Sequence, residues 1–395
     1  MKRTLALCPL SLLALSLGAQ AQDARVQAMG GAGSANASYL AAPFYNPALL
    51  SNFDESDDIG LLLPGLAIRG RDEDNLQDQI DHFQDLNDAL SAIQQDPSNA
   101  TQAQTEQLIS QWQDALRQMN GDTLDGELEL GLAVAIPSRT LGMALFASLR
   151  AQFQGRVNID GDDLDWTPVE LPNQDFDNLQ SNAQILGLAV ADLGLTFSHG
   201  WDLASGDRLM LGVSPKAQRL YTYLYQADVN NFDEDDWDNS QYREEKSGLN
   251  LDLGLAYQHG DWRLALSGRD LFKQDIESAL VAGQRFSYSL KPRLTLGGAY
   301  DNGWLAATLE TELTKTELPS LKDEQQQWLR AGLELDAFQW AQLRLGYRHD
   351  LEGSQDDVLT AGIGISPFDT LHLDLAAETG KDDHLGAALT LSFTF

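Results

Sequence analysis

HLGAALTLSFTF, His384 to Phe395, closes the chain. Leu385, Ala387, Leu389, Leu391, Phe393 and Phe395 form one unbroken apolar row, with His384, Gly386, Ala388, Thr390, Ser392 and Thr394 between them. A period of two over that length is a strand with one greasy face and one small or polar face. Such a strand aggregates through open edges unless both are paired. A closed barrel in a membrane meets this demand: the first strand pairs with the last, and the apolar face meets lipid.

Alternation ending in Phe393 and Phe395 also resembles the sorting signal of bacterial outer-membrane barrels. Upstream, the same pattern recurs. Strands are expected over Asp57 to Ile68, Glu127 to Pro137, Leu141 to Val157, Gln184 to Ser198, Arg208 to Tyr225, Leu249 to Tyr257 and Trp262 to Leu271. Further ones follow at Phe286 to Tyr300, Trp304 to Leu313, Trp328 to Leu335, Trp340 to Tyr347, Val358 to Ser366 and Leu371 to Glu378. With the terminal strand this makes about fourteen, joined alternately by short turns and long acidic loops. Asp301-Asn302-Gly303 is a strong hairpin signal. An even count places both termini on the periplasmic side, the long loops outside.

The row opposite the apolar one carries charge strand after strand. It includes Asn250 and Asp252, Arg263 and Arg269, Lys291 and Arg293, Glu310 and Glu312. Arg330 and Glu334, Arg344 and Arg348, then His372, Asp374 and Glu378 continue it. This reads as a wet, crowded lumen. A soluble β-sandwich also alternates, since periodicity alone does not distinguish lipid from a protein core. Tyr257, Trp262, Tyr300, Trp304, Trp328, Trp340 and Tyr347 lie near strand ends and are expected in interfacial girdles.

Residues 1–21 read as a secretory signal peptide: Lys2 and Arg3, an apolar run from Leu5 to Gly18, then Ala19-Gln20-Ala21. The only cysteine, Cys8, lies inside it, so the mature chain is expected to hold no disulfide, thiol nucleophile or thioredoxin-type chemistry. No other apolar run reaches about 18 residues, the length of a spanning helix. Formal net charge is −33, or −35 once Lys2 and Arg3 are removed. That sign opposes nucleic acid as a partner.

Residues 22–55 read as an N-terminal plug ahead of a barrel over 56–395. Gly30, Gly31 and Gly33 permit close backbone packing, and Asn46 can cap a helix whose first position is Pro47, followed by Ala48. The Gly31-Ala32-Gly33 run lacks the strand, third glycine and Lys-Ser/Thr of a phosphate loop. AMGGA from Ala28 and FYNPALL from Phe44 resemble the N-terminal hatch of FadL-type outer-membrane transporters, and more closely the related group called conjugal transfer protein TraF. The resemblance implies a barrel of roughly fourteen strands, a plug carrying the Asn-Pro-Ala turn, and passive uptake of a hydrophobic small molecule, with no cofactor. The expected surroundings are outer-membrane lipid and the barrel-assembly machinery. The rival reading is a structural or docking component of a conjugation or secretion apparatus.

Residues 74–120 form an insertion of different material. Leu76, Ile80, Phe83, Leu86, Leu90 and Ile93, then Leu108, Trp112, Leu116 and Met119, recur at steps of three or four. They predict two amphipathic helices in an antiparallel hairpin outside the membrane, a cap closing on itself or the rim, or a surface for a partner or entering substrate.

No catalytic residue or metal ligand emerges. There is no G-x-S-x-G and no paired-histidine motif. His372 and His384 are expected to face each other beside Asp374 in the lumen. Asp160, Asp162, Asp163 and Asp165, and Asp233, Glu234, Asp235, Asp236 and Asp238, lack the spacing of a calcium loop and read as solvated loop charge.

Overall fold

Alternating apolar and polar side chains produce fourteen antiparallel strands that close on themselves. The computed structural model describes residues 23–72, 74–167, 170–171, 179–229, 240–318, 324–337, 340–368, 370–381 and 383–395. The signal segment and the acidic run from Asp233 to Asp238 lie outside the described residues. The barrel strands are β1 (Gly60–Asp72), β2 (Thr123–Ile136), β3 (Gly142–Asn158), β4 (Asn182–Asp202), β5 (Arg208–Asp228), β6 (Arg243–His259) and β7 (Trp262–Arg269). The second half comprises β8 (Arg293–Asp301), β9 (Leu305–Glu312), β10 (Trp328–Ala337), β11 (Ala341–Asp350), β12 (Val358–Ile365), β13 (Leu371–Gly380) and β14 (Leu385–Thr394).

Closure runs from Gly60 opposite Thr394 to Gly70 opposite Leu385. Register slips between Leu62 and Gly65; Pro64, between them, supplies no N–H, so the ladder bulges. Phe395 donates its N–H to Ile59 O at 2.9 Å, fastening the last residue to the entry of β1.

Strand length is uneven. β7, β9 and β12 have 8 residues each, whereas β4 and β5 have 21. A tilted strand crosses hydrocarbon in roughly 9–11 residues, so β4 and β5 stand well above the bilayer. Along β5 the outward row is Leu209, Leu211, Val213, Pro215 and Ala217, then Arg219 and Tyr221. Arg219 is ion-paired to Glu245 of β6, which marks the water boundary on the long-loop side. Below it the outward leucines are bare; Leu345 is 64% exposed and Leu359 61%. A continuous band of this kind is insoluble unless hydrocarbon covers it.

Trp201, Tyr257, Trp262, Trp304 and Trp340 are exposed at the short-turn end, and Tyr347 at the long-loop end. Trp328 differs from expectation. It is 8% exposed and shares the inward face of β10 with Arg330 and Glu334. The expected strand from Phe286 to Tyr300 is also broken. Ser287–Leu290 pairs with Gln274–Glu277 in a side ribbon, and β8 begins only after Lys291 and Pro292. Proline's missing N–H accounts for the break.

The insertion is the expected hairpin, α3 (Leu76–Gln95) and α4 (Gln102–Gln118), numbered after two short plug helices, α1 (Ala24–Ala28) and α2 (Ala42–Tyr45). Thr101 and Gln104 cap α4 reciprocally. Phe83, Leu90, Trp112 and Leu116 are fully buried, packed with Trp166, Leu171 and Leu179 of the β3–β4 loop. The apolar seam is therefore covered by the barrel's own loop.

Candidate functional site: the plug and the charged lumen above it

The plug fills the short-turn end of the barrel. Tyr39, Leu40, Phe44, Leu49 and Leu50 pack on small inward residues near that end, Ala133, Ala135, Ala144, Ala256, Ala265 and Ala299. Small wall residues leave room for a second layer of chain inside. Asn46 caps a 3-10 turn, Pro47–Ser51, rather than an α-helix; its Oδ1 accepts from Ala48 N at 3.1 Å, and its Nδ2 donates to Ser34 O at 2.8 Å. The turn presses on inward glycines: a Cβ at Gly212 or Gly254 would overlap Pro47, Ala48 or Asn46. Gly30 and Gly31 have φ of 72° and 80°, the left-handed region that favours glycine. Gly30 lies against Gly346, and Gly33 against the ring of Tyr45, where a Cβ would overlap in each case.

Polar bonds from the wall hold the plug in place. Arg25 of the plug donates from Nε and Nη2 to the two oxygens of Glu334 on the wall at 2.8 and 2.7 Å, while its Nη1 donates within the plug to Asn36 O at 2.6 Å. Glu310 accepts from Ser34 N at 2.6 Å, and Arg263 donates to Ala35 O at 2.9 Å. Thr360 Oγ1 accepts from Gly30 N and donates to Ala28 O, at 3.0 and 2.9 Å.

The other inward charges form ladders across neighbouring strands. Arg330 reaches Glu310 at 3.1 Å and Glu312 at 2.6 Å. Arg344 joins Glu334 to Asp374, and Arg348 reaches Glu378 at 2.8 Å. Asp252 belongs to a buried knot that sequence reading did not assemble: Lys216 Nζ lies 3.2 Å from Asp192, 3.0 Å from Asp252 and 2.7 Å from Asp270. Arg150 joins it at 3.1 Å from Asp270. The only sequence signal is Asp192 interrupting the apolar run of β4. Arg293 also faces inward but has no carboxylate within 4 Å among the described residues.

Between plug and mouth lies a cavity of about 200 Å³. Leu188, Val190 and Leu290 line it beside Arg69, Arg269 and Arg293, with Tyr45 and Gly31 contributed by the plug. It is amphiphilic rather than an apolar pocket. The expected histidine pair does not form, because antiparallel pairing sets His372 opposite Ser392, at the other end of the hairpin from His384. His384 bonds Glu378 at 2.9 Å, and His372 bonds Thr394 at 3.2 Å. Among the described residues no group of three or more histidine, cysteine or carboxylate side chains is placed to hold a metal ion. Outside the membrane, hydrogen bonds from Ser205, Tyr257 and His259 pull the Asp207 carboxyl down to about 2.

A family model described as "F plasmid transfer operon, TraF, protein" matches residues 43–311, more than half of the chain. The chain belongs to this family. Among solved structures, this TraF-family barrel is similar to the Ralstonia pickettii toluene transporter TbuX, at 14% identity and a TM-score of 0.56, over 96% of this chain and 99% of that one. The Pseudomonas putida toluene transporter TodX matches at 14% identity and 0.56, over 95% and 98%. A Pseudomonas aeruginosa FadL homologue matches at 10% and 0.51, over 96% and 98%. These likenesses establish that the TraF-family chain has the FadL-type barrel fold. No curated protein matches it.

Proposed function

We propose that the protein is a passive outer-membrane uptake channel for small molecules with an apolar body and a polar end. Its plug shifts to let them pass, driven by the concentration gradient alone. The observation that carries this reading is the amphiphilic cavity resting directly on a plug that noncovalent bonds retain. The leucine band would face outer-membrane lipid, and Phe393 and Phe395 would be read by the assembly machinery. The relatives described as toluene transporters support the hydrophobic part of the reading, and the guanidinium groups of the cavity support the polar part. No covalent chemistry, cofactor or nucleic acid enters it.

The docking alternative draws less support. It calls for an apolar patch on the helical hairpin, and no large exposed hydrophobic side chain lies between residues 76 and 118 among those described. Uptake of labelled 2-phenylethanol and of labelled toluene by cells with and without the gene tests the proposal. We expect several-fold slower entry of 2-phenylethanol without the gene, restored by a plasmid copy. Equal entry of both solutes would refute uptake and leave the barrel intact.

A further inference from the structure

Arg269 and Arg293 stand directly opposite each other on β7 and β8, and both line the cavity. The other arginines of that lining, Arg69, Arg71, Arg150, Arg330 and Arg348, each have a carboxylate within 4 Å. Arg269 and Arg293 have none among the described residues. Arg269 is only 8% exposed, and its Nε has no hydrogen-bond partner. The nearby carboxylates are engaged elsewhere: Asp270 accepts from Lys216 and Arg150, and Glu312 from Arg330 and the backbone of Trp328. Two like charges side by side in a buried wall repel, and an anion between them offsets that cost.

The surroundings of the pair carry hydroxyl groups. Ser267 and Thr295 form the neighbouring in-register pair on the same two strands, and both line the cavity. Tyr45 of the plug and Tyr288 of the side ribbon complete the lining there. Two guanidinium forks and four hydroxyls match the oxygens of a carboxylate or phosphate. A cavity of about 200 Å³ is about seven water volumes, below the roughly 300–1,000 Å³ of pockets for drug-sized ligands.

We propose that Arg269 and Arg293, with Ser267, Thr295, Tyr45 and Tyr288, form a binding site for a small free oxyanion of the phosphate or short-chain carboxylate class. Its two arginines and the Ser267–Thr295 pair belong to the barrel wall, and the site stands whatever solute the channel carries.

Calorimetric titration of the folded, detergent-purified full chain with inorganic phosphate, acetate and oleate tests it. Phosphate and acetate are expected to compete for one site. Arg269→Gln and Arg293→Gln should each weaken that binding at least tenfold, with Lys273→Gln, on an exposed side chain, as the unaffected control. Heat-modifiability on gels confirms that each variant folds. Should a variant fail to fold, the thermal midpoint of the unmodified protein gives a second readout: it rises with phosphate and not with chloride at equal ionic strength. Neither heat nor a midpoint shift with phosphate and acetate would overturn the proposal, as would binding indifferent to both substitutions. Binding of oleate alone would overturn it too, by making the pocket a headgroup site for an amphiphile.

Discussion

Replacing Arg25 with alanine should loosen the plug without unfolding the barrel. The substitution removes two charge-assisted bonds to Glu334, at 2.8 and 2.7 Å, and one to Asn36 O at 2.6 Å. Glu334 keeps Arg344 as a partner, so its charge is not stranded. The cost therefore falls below the roughly 3–5 kcal/mol of an orphaned buried ion. Bonds to charged groups contribute about 1.5–3 kcal/mol net, and water from the adjoining cavity replaces part of that. We expect about 2–3 kcal/mol, which is roughly 30- to 160-fold in the population of unseated plug. The chain's only cysteine is Cys8, so a Cys8→Ala background carrying Ala48→Cys has a single thiol. Ala48 is 0% exposed, and a water-soluble maleimide reaches it only when the plug leaves its seat. Where reseating is fast, the labelling rate tracks the open population. Arg25→Ala should raise the rate roughly 30- to 160-fold by that arithmetic, with heat-modifiability unchanged. An increase below about threefold would show that packing rather than this ion pair retains the plug, and would sink the reasoning.

Gly254→Val forces a side chain into Asn46 and the Pro47–Ala48 backbone; overpacking of this kind costs about 1–3 kcal/mol, so the same thiol should label roughly 5- to 160-fold faster. Lys216→Met leaves Asp192, Asp252 and Asp270 buried with Arg150 as their one remaining close cation. It should destabilise the barrel by about 3–5 kcal/mol, read from urea unfolding in detergent, and the further change Asp252→Asn should recover part of the loss. Asp207 is pulled down to about 2, below the roughly 3.9 of an unfolded aspartate. Its contribution is complete above about pH 5 and lost as pH falls through about 2. Amide exchange in the turn at residues 203–207, corrected for intrinsic rates, should accelerate between pH 5 and pH 2. In Asp207→Asn the acceleration should vanish.

Strand parity carries most of what the sequence reveals. In the terminal segment the apolar row leaves no choice of face, and the same rule turns Asp252, Arg263, Glu310, Arg330, Arg344 and Asp374 inward. Parity applied strictly also turns Trp328 inward, because it shares its row with Arg330; reading it by proximity to a strand end gave the wrong face. His372 and His384 share a row as well, but the register sets His372 opposite Ser392 at the open end of the hairpin while His384 sits beside its turn, so common parity is no basis for contact. Register information of this kind lies beyond a period-two pattern. The seats of the plug are less legible still. Gly212, Gly254 and Gly346 look like ordinary strand glycines until the plug is in place, since what requires them is a chain segment some 165 to 316 residues away.

The charged lumen follows from the same rule that makes the barrel. Once hydrocarbon claims the outward row of every strand, the ionisable side chains of the spanning segments have only the interior left, and the plug occupies its lower part with apolar side chains. The ions line the layer of the lumen above that plug, where Val190 and Leu290 share the cavity wall with them. In such a layer an unpaired charge is costly, so most arginines have found carboxylates on the next strand, and Asp192, Asp252 and Asp270 have gathered around Lys216. Arg269 and Arg293 break that pattern at adjacent positions. Random placement of two unpaired cations would as readily have put them on opposite walls, where each could be hydrated alone. Their direct opposition, flanked by hydroxyls from two strands and the plug, is the arrangement that a third, anionic party completes.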